Sequence, residues 1–112
     1  MKEKLNILWT SGDPLTAKNM VLMYAINGKY QGWWDDVKII LWGSSVDLVA
    51  RDEEVQKLIK VALETGVSIS ACKACVDNLK YGEIISDLGI EVKYWGVPLT
   101  EILKSDGKLL TI

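Results

Sequence analysis

Apolar residues come in short bursts along this chain, separated by polar, glycine-bearing breaks. The first burst, "LNILWT" from Leu5 to Thr10, runs into "SGDP". A short apolar run of this kind predicts a strand buried on both faces. Asp13 then stands as a helix N-cap and Pro14 as the first helical residue. The helix is expected to run from Pro14 to about Asn27, with Gly28 as its stop. Its segment Met20 to Ile26, "MVLMYAI", is apolar on every side. A surface helix needs only one apolar stripe, so this one asks for a second burial surface, such as another subunit.

"VKIILW", Val37 to Trp42, is β-branched and apolar, as an interior parallel strand is. "GSS" follows. The next helix is expected from about Arg51 to Glu64. Val55, Leu58, Ile59, Ala62 and Leu63 recur there with helical spacing, and Asp52, Glu53 and Glu54 crowd the first turn, where the helix dipole favours negative charge. "VSISA", Val67 to Ala71, is the third strand. A short helix with Val76 and Leu79 inward follows, then a turn or two from Glu83 to Leu88. "IEVKYW" is the fourth strand, a helix from Pro98 to about Lys104 comes next, and "KLLTI" is the fifth strand. Strand and helix thus alternate throughout. Parallel strands need crossover helices, and these cross right-handed. The pattern therefore predicts an α/β fold, a three-layer α/β/α domain on a five-stranded parallel sheet.

Composition narrows the function. The 112 residues suit one domain, residues 1–112. With 13 basic and 15 acidic residues, and lysines scattered along the chain, nothing points to nucleic acid. No apolar run reaches the roughly 18 to 20 residues that span a bilayer. "MKEKLNILWT" is too short in its apolar part for a signal-peptide core, so a cytoplasmic protein is expected. Five tryptophans and no phenylalanine are present. Trp9, Trp42 and Trp95 fall near strand ends, where core filling accounts for them.

In parallel α/β sheets, ligands gather beyond the carboxyl ends of the strands. That rule selects Thr10 to Asp13, Gly43 to Ser45, Cys72 to Cys75, and Gly96 to Pro98. Cys72 and Cys75 are the only cysteines, and the chain has no histidine. In a reducing compartment a structural disulfide is disfavoured. Four explanations stay open for the pair. A reactive sulfur centre is one: a helix N-terminus with Lys73 alongside lowers a thiol pKa, and a second thiol can resolve the first. Inert buried cysteine is another. A thioredoxin-like site lacks its proline before a strand. Zinc wants four ligands, and one chain offers two sulfurs. "TSGDPLT" lacks the glycine spacing of a phosphate loop, and Asp35 and Asp36 of "WWDD" suit a solvated turn. No metal and no cofactor are expected.

"LWTSGDPLTAKNMVLMYAINGK", "IILWGSSVDLVARDEEVQKLI", "GVSISACKACVDNL", "LGIEVKYWGVPLTEIL" and "KLLTI", in that order, resemble the DsrE/DsrF-like family. "ACKAC" and "VKYWGVPLTEIL" are the most specific parts. The resemblance implies strand order 4-3-2-1-5 and a homo-oligomer, a trimer or hexamer. It also implies sulfur-relay chemistry, a persulfide carried on the cysteine after the third strand, here Cys72. Cys75 belongs to a subgroup with a doubled cysteine. The expectation is a sulfurtransferase-like carrier with sulfur donor and acceptor proteins as partners. Cys72 would attack the donor and Cys75 would resolve, while Thr10, Ser11, Asp13, Gly43 and Ser44 line the substrate site. The alternative is a non-catalytic oligomeric scaffold or small-ligand-binding protein with packed, unreactive cysteines.

Overall fold

Five strands form one parallel sheet in the order β4-β3-β2-β1-β5. They are β1 (Lys4–Trp9), β2 (Asp36–Leu41), β3 (Ser68–Cys72), β4 (Glu91–Lys93) and β5 (Lys108–Thr111). The structure is a computed structural model and describes residues 2–112. Met1, the first residue of the expected domain, lies outside the described residues. The order is the one implied by the DsrE/DsrF resemblance. In register, Ile7 stands opposite both Ile39 and Leu110, and Ile39 stands opposite Ile69. These residues therefore share one face, and the core is built on it.

Burial along β1 alternates. Leu5, Ile7 and Trp9 are buried, whereas Asn6 and Leu8 are only partly covered. The expectation of a strand buried on both faces is corrected here. On the second face Asn6 borders an open groove beside Pro98 and Ile102. β4 is shorter than "IEVKYW" suggested, because Trp95 already caps the following helix.

After β1 the chain enters α1 (Pro14–Thr16), passes through a π-helical stretch (Ala17–Leu22), and continues as α2 (Met23–Tyr30). Asp13 is the N-cap, accepting the Thr16 amide at 2.9 Å. Gly28 does not stop this helix, which runs on to Tyr30. A β-carbon at Gly28 would lie 3.4 Å from Trp34 Cδ1, so the glycine answers to packing rather than to termination. Val21, Leu22 and Ala25 are fully buried, while Leu15, Met20 and Met23 remain exposed. The helix thus keeps an apolar strip that its own chain does not cover.

The region between β2 and β3 differs most from expectation. Where one helix from Arg51 was predicted, two occur: α3 (Ser44–Arg51) and α4 (Glu53–Thr65). Asp52 separates them in an extended conformation, and its Oδ1 accepts the Val55 amide at 3.0 Å. Val46 and Val49 of α3 and Val55, Ile59 and Ala62 of α4 are buried. Then come α5 (Lys73–Leu79), α6 (Gly82–Asp87) and α7 (Gly96–Lys104).

The helices between β1 and β4 contribute to a single hydrophobic core. The β4-to-β5 connection travels the opposite way across the sheet, so a right-handed crossover puts α7 on the other face. There Trp95 is buried, donating Nε1–H to Ser70 Oγ at 2.7 Å, and the Lys93 and Lys38 ammonium groups lie 4.6 and 5.4 Å from its ring. No helix among the described residues is long and apolar enough to cross a membrane.

If Asp52 separates α3 from α4 as an N-cap, Asp52→Ala removes the acceptor for the Val55 amide. A loss of about 1 kcal/mol is expected, read as a lower urea midpoint. An unchanged midpoint would contradict the role.

Candidate thiol site at the carboxyl edge of the sheet

The site is held together where β1 and β2 end. Ser45, fully buried, donates its hydroxyl to the Trp9 carbonyl at 2.5 Å and accepts the Trp42 amide at 3.1 Å. One small side chain thereby joins the ends of two strands. Between Trp42 and Ser45 the backbone turns at Gly43, with φ 73° and ψ −131°. A residue with a β-carbon is strained there. The β1 loop comes close too: a β-carbon on Gly12 would lie 3.1 Å from Ser44 Cβ.

The turn aims the Gly43 amide at a sulfur. Its N–H donates to Cys75 Sγ at 3.4 Å. Cys72, the last residue of β3, is the N-cap of α5, and Cys75 lies in the first turn of that helix. Both thiols are free, and Cys72 is close enough to Cys75 to influence its ionisation. Cys72 is only 4% exposed, whereas Cys75 is half-buried.

Burial pushes the Cys75 thiol above its ordinary pKa, the Cys72 thiol adds to the shift, and the Gly43 amide opposes it. The expected lowering of the thiol pKa is therefore corrected for Cys75. Desolvation outweighs what the donor supplies. Lys73 does not serve the sulfurs either. Its ammonium group is 2.8 Å from Asp77 Oδ2 and lies 5.8 Å from the Tyr94 ring.

Cys75 opens into a cavity of about 460 Å³ lined by Gly43, Ser44, Asp47, Asn78 and Leu79. Leu79 was expected inward and instead forms a wall of this cavity, 41% exposed. A larger groove of about 550 Å³ lies at the start of the strands, between Lys4, Lys38, Trp95 and Pro98. It contains no thiol, so of the two it is the smaller cavity that exposes a cysteine.

The predicted lining residues divide. Gly43 and Ser44 are at the cavity. Thr10, Ser11 and Asp13 are turned to local tasks. Thr10 Oγ1 donates to the Ile112 carbonyl at 3.0 Å, Ser11 Oγ accepts the Asp13 amide at 3.1 Å, and Asp13 caps the first helix. Gly96 opens α7 and Pro98 borders the other groove.

Asp47 was missed, because α3 was not read as a helix. Its carboxylate takes the Arg51 guanidinium at 2.6 Å on one oxygen and the Tyr81 hydroxyl at 2.8 Å on the other. Arg51 first, then Tyr81, hold it below the usual carboxylate range. A carboxylate paired with Arg51 thus stands fixed beside the thiol opening. Among the described residues, no group of three or more cysteine, aspartate or glutamate side chains is gathered as a metal site would need.

The structure is similar to that of BT1422, a conserved protein of unknown function from Bacteroides thetaiotaomicron. The TM-score is 0.96 with 50% identity, over 98% of this chain and 95% of the other. It is also similar to the ychN protein from E. coli, at a TM-score of 0.71 and 23% identity over the full length of both chains. MTH1491 from Methanobacterium thermoautotrophicum, a protein of unknown function, matches at 0.71 and 14% identity, over 98% of this chain and 99% of the other. At these lower identities the likeness is one of fold. No family model and no curated protein matches the chain.

Gly43→Ala tests the turn. Strain of about 1–3 kcal/mol is expected at that backbone conformation, with the amide displaced from Cys75 and the thiol titrating at higher pH than in the wild type. A thiol titration curve identical to that of the wild type would show that the amide does not act on the sulfur.

Proposed function

The chain belongs to the same family as BT1422, whose function is unknown, and for this member we propose a sulfur-handling protein that carries sulfane sulfur as a cysteine persulfide on Cys72, with Cys75 as the partner thiol. One observation carries the proposal. Two free thiols adjoin at the carboxyl edge of a parallel sheet, and one of them accepts a backbone amide and faces a cavity. The resemblance to DsrE/DsrF-like proteins supports the same chemistry, since Cys72 occupies the place of the sulfur-carrying cysteine.

The role of each part follows from the geometry. Cys72 holds the sulfur away from solvent, where hydrolysis and oxidation are slow to reach it. Gly43 supplies a donor to sulfur-borne negative charge. Ser44 and Asp47 shape the entrance that a donor or acceptor meets. The partners are proteins or small thiols that present or receive one sulfur atom. The uncovered strip of Leu15, Met20 and Met23 supports assembly as a homo-oligomer, a trimer or hexamer by the same resemblance.

A second explanation has its own support. The buried Cys72 and the raised pKa of Cys75 suit packed, unreactive thiols in a scaffold or small-ligand-binding oligomer. Incubating the reduced protein with a small-molecule persulfide and weighing it separates the two. Wild type is expected to gain the mass of one sulfur atom, and the variant with both Cys72→Ser and Cys75→Ser none. A wild type that gains nothing sinks the sulfur role and favours the scaffold.

A further inference from the structure

The two thiols are not equally placed. Cys75 lines the cavity and Cys72 does not. Cys72 is 4% exposed at the end of β3, and Cys75 lies near it in the first turn of α5. A reagent entering from the cavity therefore meets Cys75 first. Gly43 already donates to that sulfur, so the thiolate formed there has a backbone partner in place. We infer that Cys75 is the entry thiol, capturing sulfane sulfur from an external persulfide and handing it inward to Cys72. This order reverses the expectation that Cys72 attacks the donor, and it rests on the sulfur-handling role proposed above.

The chemistry balances without any oxidant or reductant. The Cys75 thiolate attacks the outer sulfur of a donor R–S–SH. The donor S–S bond breaks, and R–S⁻ leaves and takes up the proton that Cys75 released. Cys75 now bears –S–SH. The Cys72 thiolate then attacks that outer sulfur, the Cys75 S–S bond breaks, and Cys75 recovers a proton from Cys72. The sulfane sulfur has moved from Cys75 inward to Cys72; the donor ends as a thiol and Cys72 as a persulfide, with no net oxidation or reduction.

The raised pKa of Cys75 adds a signature. The attacking species is the thiolate, and burial keeps the thiol protonated near neutrality. Capture should therefore accelerate steadily as pH rises through the ordinary thiol range, without reaching a plateau below it.

Two measurements test the order. In the first, wild-type protein without any donor is pulsed with iodoacetamide in the native state, and the site is located by fragmentation. Cys75 is expected to be modified before Cys72, and modification of Cys72 first overturns the order whatever the protein does with sulfur. In the second, glutathione persulfide is the donor and the reaction is stopped at short times. Cys72→Ser is expected still to capture sulfur and to keep it on Cys75. Cys75→Ser is expected to lose capture at those times. If Cys75→Ser captures as fast as the wild type, the handover is overturned while the sulfur role stands. If the wild type captures nothing, the sulfur role fails and the handover with it.

Discussion

The site depends on one buried hydroxyl. In a parallel sheet the strands end on a common edge, and here the Trp42 amide, just after β2, donates to the Trp9 carbonyl of β1 at 3.2 Å. Ser45 bridges the same two groups from the side, donating to that carbonyl and accepting that amide. A buried hydroxyl with both bonds made is stabilising, and a buried polar group left without them costs about 1–3 kcal/mol. The bond also fixes where α3 starts. Gly43 then has to turn with positive φ, and its amide is left pointing at Cys75. Asp47, one turn along α3, is placed at the cavity by the same start point. Moving Ser45 would move the amide and the carboxylate together.

Two effects compete at the sulfurs. Burial raises the cost of a thiolate, and the Gly43 amide lowers it; for Cys75, burial prevails. A site tuned for fast attack at neutral pH would reverse that balance with a nearby cation. Lys73 is the closest candidate in sequence, yet it is spent on Asp77 and the Tyr94 ring. Arg51 is likewise committed to Asp47. The arrangement suits storage better than rapid turnover. On the proposed role, a sulfur held on buried Cys72 would be protected, with exchange through the less buried neighbour.

The sheet was legible in the sequence because each strand is a distinct apolar burst bounded by polar breaks. Asp13 and Pro14 announced the first helix correctly, and the strand-end rule led to Gly43, Ser44 and the cysteines. Three features were not legible, each for a local reason. Gly28 looks like a helix stop, but nothing in its neighbours reveals that Trp34 packs against it. Asp52 among Glu53 and Glu54 reads as first-turn acidity, which conceals the break that makes α3 a separate helix. With α3 unseen, Asp47 could not be placed, and its partner Tyr81 lies 34 residues away. Thr10, Ser11 and Asp13 sit at a strand end as predicted, yet their polar atoms serve the loop and the cap rather than the cavity.

The cysteine pair is proposed to hold sulfur in the sulfane state. Cyanide tests this directly, because it removes sulfane sulfur as thiocyanate and leaves ordinary thiols intact. Protein loaded with persulfide donor, freed of excess donor and treated with cyanide is predicted to release thiocyanate in proportion to the protein chains present. Blocking both cysteines before loading is predicted to abolish the release. Loaded wild-type protein that yields no thiocyanate above the blocked control would contradict the claim.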